Sequence, residues 1–115
     1  MKKLFILLII TLLLNCSCSK TNTTNERMLD NVLKENNYIV VDVRTKEEYN
    51  SGHVKNSINI PYDEITADTN LDKNKSILVY CRSGVRSKKA YNTLKKLGYD
   101  TYDLGGYDSV TLEKE

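Results

Sequence analysis

The stretch Ile77-Leu78-Val79-Tyr80-Cys81-Arg82-Ser83-Gly84-Val85-Arg86-Ser87 decides the reading of this chain. Its first four residues are apolar without alternation, the pattern of a strand buried on both faces. Cys81 ends that strand. A helix is predicted over Ser87–Leu97, with Ala90, Tyr91, Leu94 and Leu97 on one face and Gly98 as its stop. In an open α/β sheet, the carboxyl end of a strand just before a helix is where ligands bind. The backbone N–H groups of Arg82 to Ser87 form a candidate anion nest, strengthened by the helix N-terminus. Gly84 admits a backbone conformation that a side chain resists. Arg82 and Arg86 add positive charge, so the loop favours the thiolate of Cys81, the nucleophilic form. Ser83 and Ser87 are candidate hydrogen-bond donors, and Ser87 reads equally well as the cap of the helix.

Outward from the loop, strands and helices alternate. Met28, Leu29, Val32 and Leu33 recur at helical spacing, which predicts a helix over Glu26–Glu35 capped by Asn25 and broken by Asn36-Asn37. Tyr38 to Val43 is a β-branched run and reads as a second buried strand. Thr45–Asn50 is a short helix, with Thr45 and Glu48 spaced as a capping box. Ser57–Ile60 is a short strand stopped by Pro61, Tyr62–Ala67 a helical turn and Tyr99–Leu104 the last strand. Gly105-Gly106 leads into a short C-terminal helix. This alternation predicts an α/β fold of three layers, α/β/α, with a mainly parallel central sheet.

The first residues read as an address. Met1-Lys2-Lys3 is basic, and Leu4 to Leu14 is apolar apart from Thr11. As a helix that run is roughly 16 Å long, too short for a hydrocarbon core of about 30 Å, and it fits a secretory leader. Leu13-Leu14-Asn15-Cys16 resembles the lipobox of bacterial lipoproteins, with Cys18 as a second candidate for the lipidated cysteine. The expected organisation is a leader over 1–15, a polar tether over 16–25 and one folded domain over 26–115. Export and lipid anchoring at Cys16 to a bacterial membrane follow as expectations.

Composition bounds the partners. Without Lys2 and Lys3, the 17 Lys+Arg fall to the 15 of Asp+Glu. A balance near zero implies no polybasic face and argues against nucleic acid. Three cysteines, one histidine and no tryptophan exclude a disulfide scaffold and a multi-ligand zinc site. No metal or cofactor is called for.

The loop Cys81 to Ser87 resembles the active loop of the rhodanese family of sulfurtransferases, whose form is Cys-Arg-x-Gly-x-Arg-Ser/Thr. An early block is similar too: Asp42-Val43-Arg44, Glu48-Tyr49, Gly52-His53-Val54 and Asn59-Ile60-Pro61. So is the closing Tyr102-Asp103-Leu104-Gly105-Gly106-Tyr107. This chain departs at Asn56-Ser57, where the family usually has Gly-Ala. Asn tolerates a left-handed backbone best among side-chain-bearing residues. It departs again after the closing block, where a tryptophan is common and Val110 is the residue available.

The resemblance implies sulfur transfer through a persulfide on Cys81. Thiosulfate or a similar small anion would be the donor, and cyanide or a thiol the acceptor. Arg86 and the amides of Ser83, Gly84, Val85 and Ser87 would steady the anion, with Arg82 at the mouth. His53 is expected in a structural role, and Asp42 and Arg44 as an ion pair tying loops beside the site. Tyr49 and Tyr107 are placed at the pocket. Two alternatives remain open. One is a persulfide carrier or protein-binding module with a protein partner. The other is a phosphatase of the same fold, whose loop holds five residues between cysteine and arginine against four here.

Overall fold

The two apolar runs of the sequence become neighbouring strands. In this computed structural model, which describes residues 20–115, β1 is Tyr38–Asp42, β2 Ile58–Asn59, β3 Ser76–Cys81 and β4 Thr101–Gly106. They form a sheet in the order β2-β1-β3-β4 with every pairing parallel. An α/β chain with a parallel sheet is therefore the observed class. The helices are α1 (Lys20–Glu35), α2 (Lys46–Asn50) and α3 (Val85–Lys96), with single 3-10 turns at Tyr62–Glu64 and Tyr107–Ser109.

Alternation along the strands divides their side chains between two faces. Val41, Val43, Ile77, Val79 and Cys81 pack with Ala90 and Leu94 of α3, joined by Ile65 and Tyr99. Val40, Asp42, Leu78 and Tyr80 point the other way and are buried too. Burial on both faces explains why β1 and β3 read as unbroken apolar runs. Cys81 and Tyr80, adjacent in sequence, thus serve opposite faces.

The capping box is present: the Glu48 N–H donates to Thr45 Oγ1 at 3.2 Å, and the Glu48 carboxylate accepts from the Thr45 N–H at 3.3 Å. Asn56 takes φ +64°, the left-handed conformation expected where the family carries glycine, and Asn36 takes φ +53° just after α1. Val110 is buried.

Several boundaries differ from expectation. The last strand is Thr101–Gly106 where Tyr99–Leu104 was expected, so Gly105 and Gly106 belong to it. The Ser57–Ile60 strand and the Tyr62–Ala67 turn are shorter, and two helices start early. Helix α1 starts at Lys20, so Asn25 lies inside it and caps nothing, and residues 20–25, expected as tether, are helical. Extending an established helix costs far less per residue than nucleating one, which lets the Met28–Leu33 segment carry polar residues upstream. Helix α3 starts at Val85, two residues early, with left-handed Gly84 (φ +97°) at its N-cap. Ser87 is therefore in the first turn and is not the cap. The leader, Cys16 and Cys18 lie outside the described residues, and among the described residues no helix is long and apolar enough to cross a membrane.

Candidate active site

Strand β3 delivers Cys81 to the carboxyl edge of the sheet, and the chain turns at once into α3. Between Val79 and Tyr80 the register with β4 slips by one residue, so Tyr80 and Cys81 pair with Gly105 and Gly106. Such a bulge re-aims the end of a strand. The turn is tight: a Cβ on Gly106 would lie 2.8 Å from the Arg82 carbonyl oxygen. Only glycine lets β4 run this close beneath the loop. Gly105-Gly106 of the closing block marks this position in the sequence, where it reads as part of that block and as a lead into a helix.

The sulfur sits inside a ring of donors. The Gly84 N–H donates to Cys81 Sγ at 2.9 Å. Burial pushes the Cys81 thiol pKa up. The Ser87 hydroxyl and the amides of Ser87, Gly84 and Ser83 pull it down and outweigh burial, leaving it below the usual thiol value. The hydroxyl of buried Ser87 also lies 3.1 Å from the Gly84 carbonyl oxygen, which holds it against the turn. Arg82 and Ser83 are exposed at the mouth, and Val85 is 62% exposed on the first turn of α3.

Arg86 is not the free cation that the sequence suggested. Its Nη1 donates to Glu48 Oε1 at 2.7 Å and its Nη2 to Glu48 Oε2 at 3.1 Å. The hydrogen bond to Arg86 is the main cause that holds the Glu48 carboxyl down to about 2, and Glu48 in turn raises Arg86. Arg86 still feels the charge of Cys81. Glu48 is thus placed beside the loop, where the sequence reading assigns it to a helix cap and to the early block but gives it no role at the site. The capping box explains why its carboxylate is already fixed in place.

On the other side of β3 a second network forms. Arg44 Nε lies 3.0 Å from both oxygens of Asp42, and its Nη2 donates to Asp42 Oδ2 at 2.7 Å and to the Gly52 carbonyl at 2.6 Å. Burial lowers the Arg44 pKa, but Asp42 outweighs it and the net direction is up. Tyr80 donates to Asp42 Oδ2 at 2.7 Å and accepts from the Val54 N–H at 3.0 Å. Burial above all pushes the Tyr80 phenol up to about 12. Arg44 thus links Asp42 of β1 to the Gly52 carbonyl. His53 Nδ1 lies 2.8 Å from the Tyr49 carbonyl oxygen, and its ring stacks on Tyr49 at 3.8 Å. Tyr107 lies under the Arg44 guanidinium at 4.5 Å. Tyr49 and Tyr107 thus belong to these contacts.

Charge is also segregated in a way that the near-zero balance hid. Residues 82–96 hold Arg82, Arg86, Lys88, Lys89, Lys95 and Lys96 and no acidic residue. Of these, Arg86 is paired with Glu48, while Arg82, Lys88, Lys89, Lys95 and Lys96 are exposed. A cavity of about 380 Å³ lies elsewhere, beside Tyr38, Ile39, Val40 and Val54 at the amino end of β1. Its one ion pair, Lys55–Glu113 at 3.7 Å, is largely exposed, and it lies at the opposite sheet edge from Cys81.

The sequence profile of the rhodanese-like domain matches residues 25–113. The chain belongs to this family. Thiosulfate sulfurtransferase PspE of Escherichia coli (strain K12) is 36% identical over 78 residues, covering 64% of this chain and 75% of that protein. A tRNA uridine(34) hydroxylase of Aster yellows witches'-broom phytoplasma (strain AYWB) is 37% identical over 83 residues, covering 64% of this chain and 27% of that protein. This rhodanese-like chain therefore spans about a quarter of the length of the phytoplasma relative. The solved structure of a rhodanese with anions from E. coli is similar, with TM-score 0.61 and 34% identity over 68% of this chain and 96% of that one.

Proposed function

We propose that this chain is a sulfurtransferase that carries sulfane sulfur on Cys81. The carrying observation is the sulfur's setting: Sγ accepts from the Gly84 amide at 2.9 Å and is held toward the thiolate by Ser87 and neighbouring amides. The Cys81 thiolate attacks the outer sulfur of thiosulfate. An S–S bond forms on Cys81, the S–S bond of the donor breaks, and sulfite leaves with the electron pair. The persulfide keeps one negative charge, which the loop amides stabilise. Cyanide or a thiolate then takes the outer sulfur and restores the Cys81 thiolate. No oxidant or reductant is consumed.

A phosphatase reading fits less well. Only four residues separate Cys81 from Arg86, and both guanidinium ends that would grip a phosphoryl group are engaged by Glu48. Attachment to a membrane through a lipid on Cys16 is part of the proposal and is supported by Leu13-Leu14-Asn15-Cys16.

The test is thiocyanate formation from thiosulfate and cyanide. Turnover that disappears in Cys81→Ser supports the proposal. A folded, reduced protein without turnover, yet able to accept sulfur once and pass it to a protein thiol, would make the chain a carrier. Hydrolysis of a phosphate ester that depends on Cys81 would overturn the sulfur reading.

A further inference from the structure

The loop around Cys81 contains two arginines, but they are not equivalent. Arg86 gives both terminal nitrogens to Glu48 at 2.7 and 3.1 Å, with both side chains about three-quarters buried. Glu48 is held from behind by Thr45, whose N–H and Oγ1 lie 3.3 and 3.2 Å from Oε1. The carboxylate is therefore built into the site. Arg82 is exposed and has no carboxylate partner among the described residues.

The geometry points to Glu48 as a specificity-setting residue: by cancelling the charge of Arg86 it tunes the Cys81 loop to singly charged sulfur donors over doubly charged ones. This rests on the sulfur-transfer reading above. The donor class that fits is a persulfide anion, R–S–S⁻. Attack by the Cys81 thiolate on its outer sulfur forms the Cys81 persulfide, breaks the donor S–S bond and releases R–S⁻, with charge and electrons balanced. Thiosulfate brings one more negative charge into the same cradle. Coulomb energy is linear in ligand charge. Removing the negative charge of Glu48 should therefore help a dianion by about the square of the factor by which it helps a monoanion.

The experiment uses the full chain and Glu48→Gln, which keeps a capping side chain at the third helical position. Two donors are compared: thiosulfate and the methanethiosulfonate anion, which replaces one charged oxygen with a methyl group. For Glu48→Gln the expected result is a kcat/KM for thiosulfate raised about 10-fold through KM, and about 3-fold for methanethiosulfonate. The pair Glu48→Gln with Arg86→Gln should return the selectivity to the parent value, because both charges are then gone. Equal changes for the two donors, or a loss for both that the double variant does not restore, would overturn the proposal and leave Glu48 a structural brace.

A second readout needs no sulfur transfer. The ratio of iodoacetate to iodoacetamide alkylation at Cys81, read by peptide mapping, should rise about 3-fold in Glu48→Gln. An unchanged ratio overturns the charge-balance claim. A raised ratio in a protein that accepts sulfur from neither donor upholds the charge balance and refutes sulfur transfer instead.

Discussion

Two arginine–carboxylate pairs lie beside the strand that carries Cys81, and they differ in depth. Asp42–Arg44 sits against Tyr80, with side chains 0% and 7% exposed. Glu48–Arg86 sits on the first turn of α3, with side chains 24% and 26% exposed. The first joins residues two apart, and the second joins residues 38 apart. The deep pair also holds loops: Arg44 reaches Gly52, and Asp42 receives Tyr80. A buried pair of this kind contributes little as a unit but is costly to break, because the surviving charge has no water. The shallow pair keeps partial access to solvent, so its loss is survivable, and its arginine is coupled electrostatically to Cys81. Depth separates a lock from a tuning element, although the chemical groups are the same.

The comparison breaks most sharply at Asp42. Asp42→Ala leaves Arg44 buried and unpaired, and a loss of about 3–5 kcal/mol is expected in urea unfolding. Any Asp42→Ala protein that remains folded should show a smaller change in the ratio of iodoacetate to iodoacetamide reactivity at Cys81 than Glu48→Gln does. A larger change with little loss of stability would reverse the roles of the two pairs.

Tyr80→Phe comes next. It strips Asp42 of a donor and the Val54 N–H of its acceptor, and about 1–3 kcal/mol should be lost. Below pH 10, unfolded Tyr80 remains neutral and the contribution of its raised pKa is whole. It fades as pH rises from 10 through about 12. The gap in unfolding free energy between parent and Tyr80→Phe should narrow over that window.

Gly106→Ala probes the loop itself. The new Cβ meets the Arg82 carbonyl oxygen at 2.8 Å, so the loop must shift. About a 10-fold drop in the rate of sulfur loading is expected from misplaced donors, with far-UV circular dichroism unchanged. An unaffected rate would mean that the close approach does not set the geometry.

The smallest effect belongs to Glu48. Its stability contribution, about 1 kcal/mol or less for a partly exposed pair, is present above its ordinary carboxyl value of 4.5 and is lost as pH falls through about 2. The stability difference between parent and Glu48→Gln should hold level from pH 7 to 5 and shrink below 4.5. A difference already falling at pH 6 would show that the pair is not as tight as 2.7 Å implies.

Much of this was readable from local sequence. The β-branched and aliphatic runs of β1 and β3 specify buried strands without reference to anything distant. Thr45 and Glu48 are three residues apart, so their capping box is a local event. Asn56 in place of glycine is decided by its own backbone. The sulfur's donors were legible for the same reason, since Ser83, Gly84 and Ser87 are within six residues of Cys81. What was hidden is long-range. Nothing in the spacing of Glu48 and Arg86 says that β1 and β3 bring α2 and α3 together. The contact of Gly106 with Arg82 depends on a register slip in β4. The start of α3 differs from expectation because Ser87 is a better cap by type than Gly84, and the left-handed turn at Gly84 outranks that preference. The basic helix was visible, but a charge count over the whole chain averages it away.

Whether Cys81 holds transferable sulfur can be read from the mass of the protein. Protein incubated with thiosulfate and then separated from it should gain one sulfur atom, mapped to the peptide containing Cys81. Cyanide should remove that atom as thiocyanate, and Cys81→Ser should never acquire it. Reduced, folded protein that gains no sulfur from thiosulfate, methanethiosulfonate or a low-molecular-weight persulfide would contradict the account.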